Sequence, residues 1–162
     1  MMMLNQKTNI EKNIILLKKR ALYYLGKREY SRLELFNKIN DYAKELEIDN
    51  QNINIMLDHL ESDDRLSDQR FTEQFIFSKK NRYGVEKIRY ELKNRGVDEM
   101  IINNELIKIK SESDLLAKKI WSKKFSEAPK SPEEKAKQIR FLKGRGVGTE
   151  LIHKIMSGKI FD

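Results

Sequence analysis

Residues 88 to 106 read Ile88-Arg89-Tyr90-Glu91-Leu92-Lys93-Asn94-Arg95-Gly96-Val97-Asp98-Glu99-Met100-Ile101-Ile102-Asn103-Asn104-Glu105-Leu106, and most of this stretch is written twice. Near the C-terminus stands Ile139-Arg140-Phe141-Leu142-Lys143-Gly144-Arg145-Gly146-Val147-Gly148-Thr149-Glu150-Leu151-Ile152-His153-Lys154-Ile155-Met156. Fifty positions separate Leu92 from Leu142, Lys93 from Lys143, Arg95 from Arg145, Gly96 from Gly146 and Val97 from Val147. The same offset pairs Ile101 with Leu151, Ile102 with Ile152 and Leu106 with Met156. The start of the match slips by one, Ile88-Arg89-Tyr90 falling against Ile139-Arg140-Phe141. Each copy reads as a helix, a glycine stop and a second helix. Repetition at such a period marks a repeat architecture.

Outward from these copies the rest of the chain is also helical in pattern. Residues 1–10 lack a consistent period and read as a flexible lead-in. A helix from about Glu11 to Gly26 places Leu17, Ala21, Leu22 and Leu25 on one face. Ser31 and Glu34 form a capping box for a helix carrying Leu35, Phe36 and Ile39. Asp49 or Asn50 caps a third, with Ile53, Met56, Leu57 and Leu60 at helical spacing. Asp63-Asp64 is a turn. Ser67 or Asp68 caps the next helix, whose inward residues are Phe71, Phe75, Ile76 and Phe77. Ser111 with Asp114 resembles another N-terminal box, ahead of Leu115, Leu116, Ile120, Trp121 and Phe125. Ser131-Pro132-Glu133-Glu134 is the strongest helix start in the chain. No stretch alternates long enough to argue for a strand. The expectation is an all-α fold of nine helices in three tandem three-helix, helix-turn-helix-like repeats, over 11–66, 67–110 and 111–162. Units this small barely close their own cores, so they are expected to pack as an elongated row.

Composition narrows the function. There is no cysteine among the 162 residues, which excludes disulfides and thiolate metal sites. Apolar runs are far shorter than the roughly 20 residues that span a membrane, and no signal-peptide cleavage pattern follows an apolar core. A cytoplasmic protein without membrane contact is expected. The net charge is +8. Residues 1–66 carry 11 basic and 11 acidic side chains, residues 67–110 carry 10 and 7, and residues 111–162 carry 12 and 7. A basic excess confined to the last hundred residues suits a polyanionic partner, or a solvated lysine-rich surface.

No catalytic constellation stands out. His59 and His153 each sit alone on an amphipathic helix, without a spaced partner for ligand or general-base work. Lys143-Gly144-Arg145-Gly146-Val147-Gly148-Thr149 looks like a phosphate loop but follows a helix rather than a strand. It reads better as a helix end followed by a new N-terminus. No metal, no cofactor and no enzyme activity are expected. The aromatic residues at helical spacing are read as core. Tyr90 and Phe141 lie off the inward stripes, against a neighbouring unit or a partner. The functional candidates are therefore cations: Lys79, Lys80, Arg82, Arg89, Lys93, Arg95, Lys123, Lys124, Arg140, Lys143 and Arg145. For Arg95 and Arg145, just before the glycines, the alternative is that they offset helix dipoles.

Several pieces together resemble the family of the bacterial regulatory protein RecX, modulators of the recombinase RecA. They are Ala21-Leu22-Tyr23-Tyr24-Leu25 with Arg28-Glu29-Tyr30-Ser31-Arg32-Leu33-Glu34-Leu35, then Leu66-Ser67-Asp68-Gln69-Arg70-Phe71. Next come Tyr83-Gly84 with Ile88-Arg89-Tyr90-Glu91-Leu92 and Arg95-Gly96-Val97, and last Arg140-Phe141-Leu142 with Arg145-Gly146. Their order and spacing are specific over about Lys19 to Met156. Val147 departs from the family's frequent aromatic and Thr72 from its alanine. The resemblance implies three tandem three-helix repeats in a curved array. It also implies a regulator that binds the RecA filament on single-stranded DNA and mainly inhibits it, with the DNA strand itself as a second candidate contact; a monomer is expected. A DNA-binding protein acting without RecA is the alternative.

Overall fold

The computed structural model describes the backbone of residues 2–161 and the side chains of residues 9–161. Nine α-helices occur among the described residues: α1 (Met2–Leu25), α2 (Arg32–Glu45), α3 (Asn50–Ser62), α4 (Asp68–Lys79), α5 (Val85–Asn94), α6 (Glu99–Lys108), α7 (Ser113–Ser122), α8 (Pro132–Gly144) and α9 (Thr149–Met156). The fold is all-helical, as the periodicity predicts.

Side-chain caps explain four of the helix starts. The Ser31 hydroxyl accepts from the N–H of Glu34, Asp49 from Asn52, Asp98 from Met100 and Ser131 from Glu134. Each satisfies an amide that a helix N-terminus leaves without a partner. Two expectations fail. The lead-in over residues 1–10 is already helical from Met2. That segment lacks an apolar stripe, but it also lacks Pro and Gly, so propensity carries the helix where pattern gives no sign. The Ser111–Asp114 box does not form. Lys110–Glu112 is a 3-10 turn leading straight into α7, which has no side-chain cap. The N–H groups of Ile109 and Glu112 bond to Leu106 and Ile109, so no extended residue is left to act as a cap.

The chain divides into two compact units, Met1–Phe71 with Arg95–Val97, and Thr72–Asn94 with Asp98–Asp162. In the first, α1, α2 and α3 close a core of Leu17, Ala21, Leu35, Ile39, Ile53, Leu57 and Leu60, all at 0% exposure. In the second, α7, α8 and α9 enclose Ala117, Ile120, Trp121, Leu142, Val147, Ile152 and Ile155. Phe71, Phe75 and Ile76 are buried as expected, but Phe77 is 76% exposed and Leu115 is 53% exposed. Phe77 follows Phe75 and Ile76 directly, and one helical face cannot take all three.

The internal repeat has a cleaner register than its letters suggest. At an offset of fifty, buried Ile88 matches buried Gln138, exposed Tyr90 matches exposed Arg140, and Leu92 matches Leu142, both at 0% exposure. The one-residue slip is therefore absent from the structure. Arg140 takes the place of Tyr90, and Phe141 that of Glu91. Gln138 stands in a core position because Trp121 needs it: the indole N–H donates to Gln138 Oε1 at 2.8 Å, and the amide nitrogen donates to the Glu127 carbonyl at 3.1 Å.

A third copy of the turn lies in the first unit, at an offset of 49 from the second. The N–H groups of Glu47 and Ile48 bond to Lys44 and Ala43, as those of Gly146 and Val147 bond to Lys143 and Leu142. All three turns are left-handed, with φ of 55° at Glu47, 73° at Gly96 and 76° at Gly146. The two glycine turns are also docked. The Arg95 carbonyl accepts from the Ser31 hydroxyl at 2.6 Å, and a Cβ on Gly96 would lie 2.8 Å from Leu33 Cβ. The Arg145 carbonyl accepts from the N–H of Gly84 at 2.8 Å, and that of Gly146 from Glu86 at 3.2 Å. A Cβ on Gly146 would collide with the Lys87 Cβ and backbone. Each glycine turn thus supplies carbonyl partners at the N-terminus of an earlier helix, α2 or α5. Glycine is required there for its φ and for the absence of a Cβ.

Candidate functional site

The eleven candidate cations fall into three environments. Four are tied by carboxylates. Arg89 on α5 reaches Glu99 on α6 at 3.0 Å and Asn103 at 2.5 Å, while Lys93 reaches Glu99 at 2.6 Å. The hydrogen bond from Lys93, then the charges of Lys93 and Arg89, hold the Glu99 carboxyl below its ordinary pKa. Arg95 pairs with Glu34 at 3.1 Å, which also holds Arg28 at 3.0 Å. That leaves the Glu34 side chain occupied with arginines rather than with the Ser31 amide of a full capping box. Lys80 pairs with Glu112 at 3.0 Å.

Four others are bound to rings or carbonyls. The Arg145 guanidinium lies 5.6 Å from the centre of the Tyr83 ring and 5.2 Å from that of Phe141. Lys124 sits 4.9 Å from Phe141, which in turn meets Phe125 edge to face at 5.4 Å. Lys79 lies 5.7 Å from the Phe75 ring. Lys123 donates to the Asn81 carbonyl at 2.8 Å. Such contacts are worth about 0.5–1 kcal/mol each at an exposed site. Arg95 and Arg145 therefore buttress packed turns, and Phe141 is a packed residue, whereas Tyr90 is 65% exposed.

Three candidates remain open. Arg82, Arg140 and Lys143 are exposed, and none makes an ion pair among the described residues. Arg140 and Lys143 lie three residues apart on α8, so they share a face. Lys137, three residues earlier, is equally exposed and extends the line. Sequence reasoning missed Lys137 because it compared residues only within the strongest stretch of the repeat. Carrying the fifty-residue offset back to Lys87 would have found it.

The remaining motifs are structural. His59 and His153 are exposed, on α3 and α9. Asp64 turns with φ of 55°, and its carboxylate takes a 2.6 Å bond from Arg70. At the apparent phosphate loop, Gly148 precedes α9, and the carboxylate of Glu86 lies 3.5 Å from where a Cβ on it would stand. An acidic group at that helix start disfavours an anion. Among the described residues, no helix is long and apolar enough to cross a membrane.

Comparison with known proteins fits this architecture. Residues 67–106 match the family model of the RecX second three-helix domain, and residues 113–156 that of the third. The regulatory protein RecX of Ralstonia pickettii strain 12J is 34% identical over 142 residues, covering 88% of this chain and 87% of the relative. That of Chromobacterium violaceum is 36% identical over 143 residues, covering 88% and 90%. The crystal structure of RecX from Lactobacillus salivarius shares the fold with a TM-score of 0.72 at 20% identity, over 94% of this chain and 99% of that one. With both repeats matched to family domains and such relatives along most of its length, the chain belongs to the RecX family of regulatory proteins.

Proposed function

We propose that this chain binds the RecA filament on single-stranded DNA and restrains it. The restraint covers filament growth, ATP hydrolysis, strand exchange and RecA-stimulated repressor cleavage. Membership of the RecX family carries the reading. The placement of charge supports it, since the residues from 111 on hold 12 basic against 7 acidic side chains and α8 presents an open line of them. The action is by binding rather than by chemistry. Contacts repeated along one chain give affinity without a deep pocket, and occupancy of the filament is enough to slow its turnover.

The test is ATP hydrolysis by RecA preassembled on single-stranded DNA with this protein titrated in. Loss of hydrolysis at substoichiometric protein is the expected result. Unchanged hydrolysis at equimolar protein would reject the reading.

A further inference from the structure

The second helices of the three repeats, α2, α5 and α8, can be aligned residue by residue through the shared turn. Three outward positions follow, spaced three residues apart. The first holds Lys38, Lys87 and Lys137. The second holds Asp41, Tyr90 and Arg140. The third holds Lys44, Lys93 and Lys143. Three cations on one face span about 9 Å of helix axis at the usual rise.

What surrounds these lysines differs by repeat. On α2, Lys38 lies 5.3 Å from the Tyr24 ring, and Lys44 pairs with Asp41 at 3.5 Å. On α5, Lys87 lies 4.5 Å from the Tyr83 ring, and Lys93 pairs with Glu99 at 2.6 Å. On α8 none of the three makes an ion pair or ring contact among the described residues, and all are exposed. The reason is legible in the aligned letters. Thr149 is the first residue of α9 as Glu99 is of α6, so Lys143 lacks the carboxylate that holds Lys93. Arg140 replaces Asp41, so the acidic neighbour becomes a third cation. Gly144 ends this face, and a Cβ there would meet nothing within 4 Å.

We propose that the Lys137–Arg140–Lys143 face of α8 takes the phosphate backbone of a single-stranded nucleic acid, and that the matching faces of α2 and α5 are closed to it by their own side chains. The inference rests on the filament reading above for the strand being single. A polyanion fits better than an acidic protein surface. Stable protein interfaces centre on a large apolar or aromatic anchor, and α8 exposes no such side chain among the described residues. Three uninterrupted cations suit a repeating phosphate, read without regard to sequence.

The experiment measures binding of a fluorescent oligothymidylate to the full chain over a series of salt concentrations. Each phosphate neutralised on a single strand contributes about 0.7 to the slope of log affinity against log salt. The K137A/R140A/K143A variant is expected to lower that slope by about 2. The matched K38A/K44A/K87A variant removes the same charge and should hold the slope near its original value. Glu99→Thr frees Lys93 and should raise affinity and slope, by up to about 0.7 per cation released. Circular dichroism verifies helicity in each variant. An unchanged slope in K137A/R140A/K143A overturns the inference. If that variant loses filament inhibition while binding the oligonucleotide normally, the face meets acidic protein instead, which also overturns it. Should the slope fall as expected while the unaltered protein leaves RecA hydrolysis untouched, the face is upheld and the filament reading fails.

Discussion

At position 47 the backbone turns through the same left-handed region as at 96 and 146, with glutamate in place of glycine. Glu47 is exposed and its side chain has room, whereas Gly96 and Gly146 are pressed against Leu33 and Lys87. Left-handed φ costs an L-residue about 1–2 kcal/mol, and glycine gives back about 0.4–1 kcal/mol of that through the unfolded chain. Glu47→Gly is therefore expected to change stability by no more than about 1.6 kcal/mol in urea unfolding. Gly146→Val adds a backbone collision to the same φ cost and should lose about 3 kcal/mol or more. Equal responses at the two sites would contradict the docking argument. The glycines were legible because the letter itself signals positive φ. The turn at Glu47 was not, because glutamate gives no such signal and shows itself only through its hydrogen bonds to Lys44 and Ala43. Gln138 was hidden for a related reason: a glutamine in a core position makes sense only once the Trp121 indole is seen beside it.

Between elements, what counts is which charges find each other. The α5–α6 junction draws Arg89 and Lys93 onto Glu99, while the α8–α9 junction, with the same turn, offers threonine. The helices could be placed from spacing alone, and all eleven candidate cations lie at least partly outside the core. Their pairing could not be read, because Glu34 and Arg95 are 61 positions apart and meet only when the turn docks. A carboxyl titration by NMR tests the local electrostatics. Because the Glu99 pKa is depressed in the folded state, the pairing is present above the ordinary carboxylate range and is lost as pH falls through the depressed value. Lys93→Ala should move the Glu99 midpoint upward, toward that ordinary range. A midpoint indifferent to Lys93 would mean the pair does not persist in solution.

At the scale of the whole chain, the two units are interleaved in sequence. Arg95–Val97 belongs to the first, yet both flanking segments belong to the second. Loss of order around residue 94 or 98 reaches, through the chain itself, the turn that satisfies Ser31. Trp121 is the single tryptophan and sits in the core of the second unit. Its fluorescence and the far-ultraviolet circular dichroism of the helices should therefore fall in one coincident denaturation transition. Two separated transitions would show that the three-residue turn does not couple them. The boundaries at 66 and 110 expected from sequence follow the helix triplets, which local pattern reveals. They miss this exchange, because a three-residue turn carries no mark of what it will touch.

The unequal turns also set rules for anyone building a longer protein from these parts. A module joined after α9 could bring its own glycine turn to α8, which opens on Ser131 as α2 opens on Ser31. A module joined ahead of α1 would have to receive the turn at position 47, where a glutamate side chain bars close seating. Extension in that direction asks for one substitution first, so the parts list has a built-in polarity, encoded in the presence or absence of one side chain at the turn.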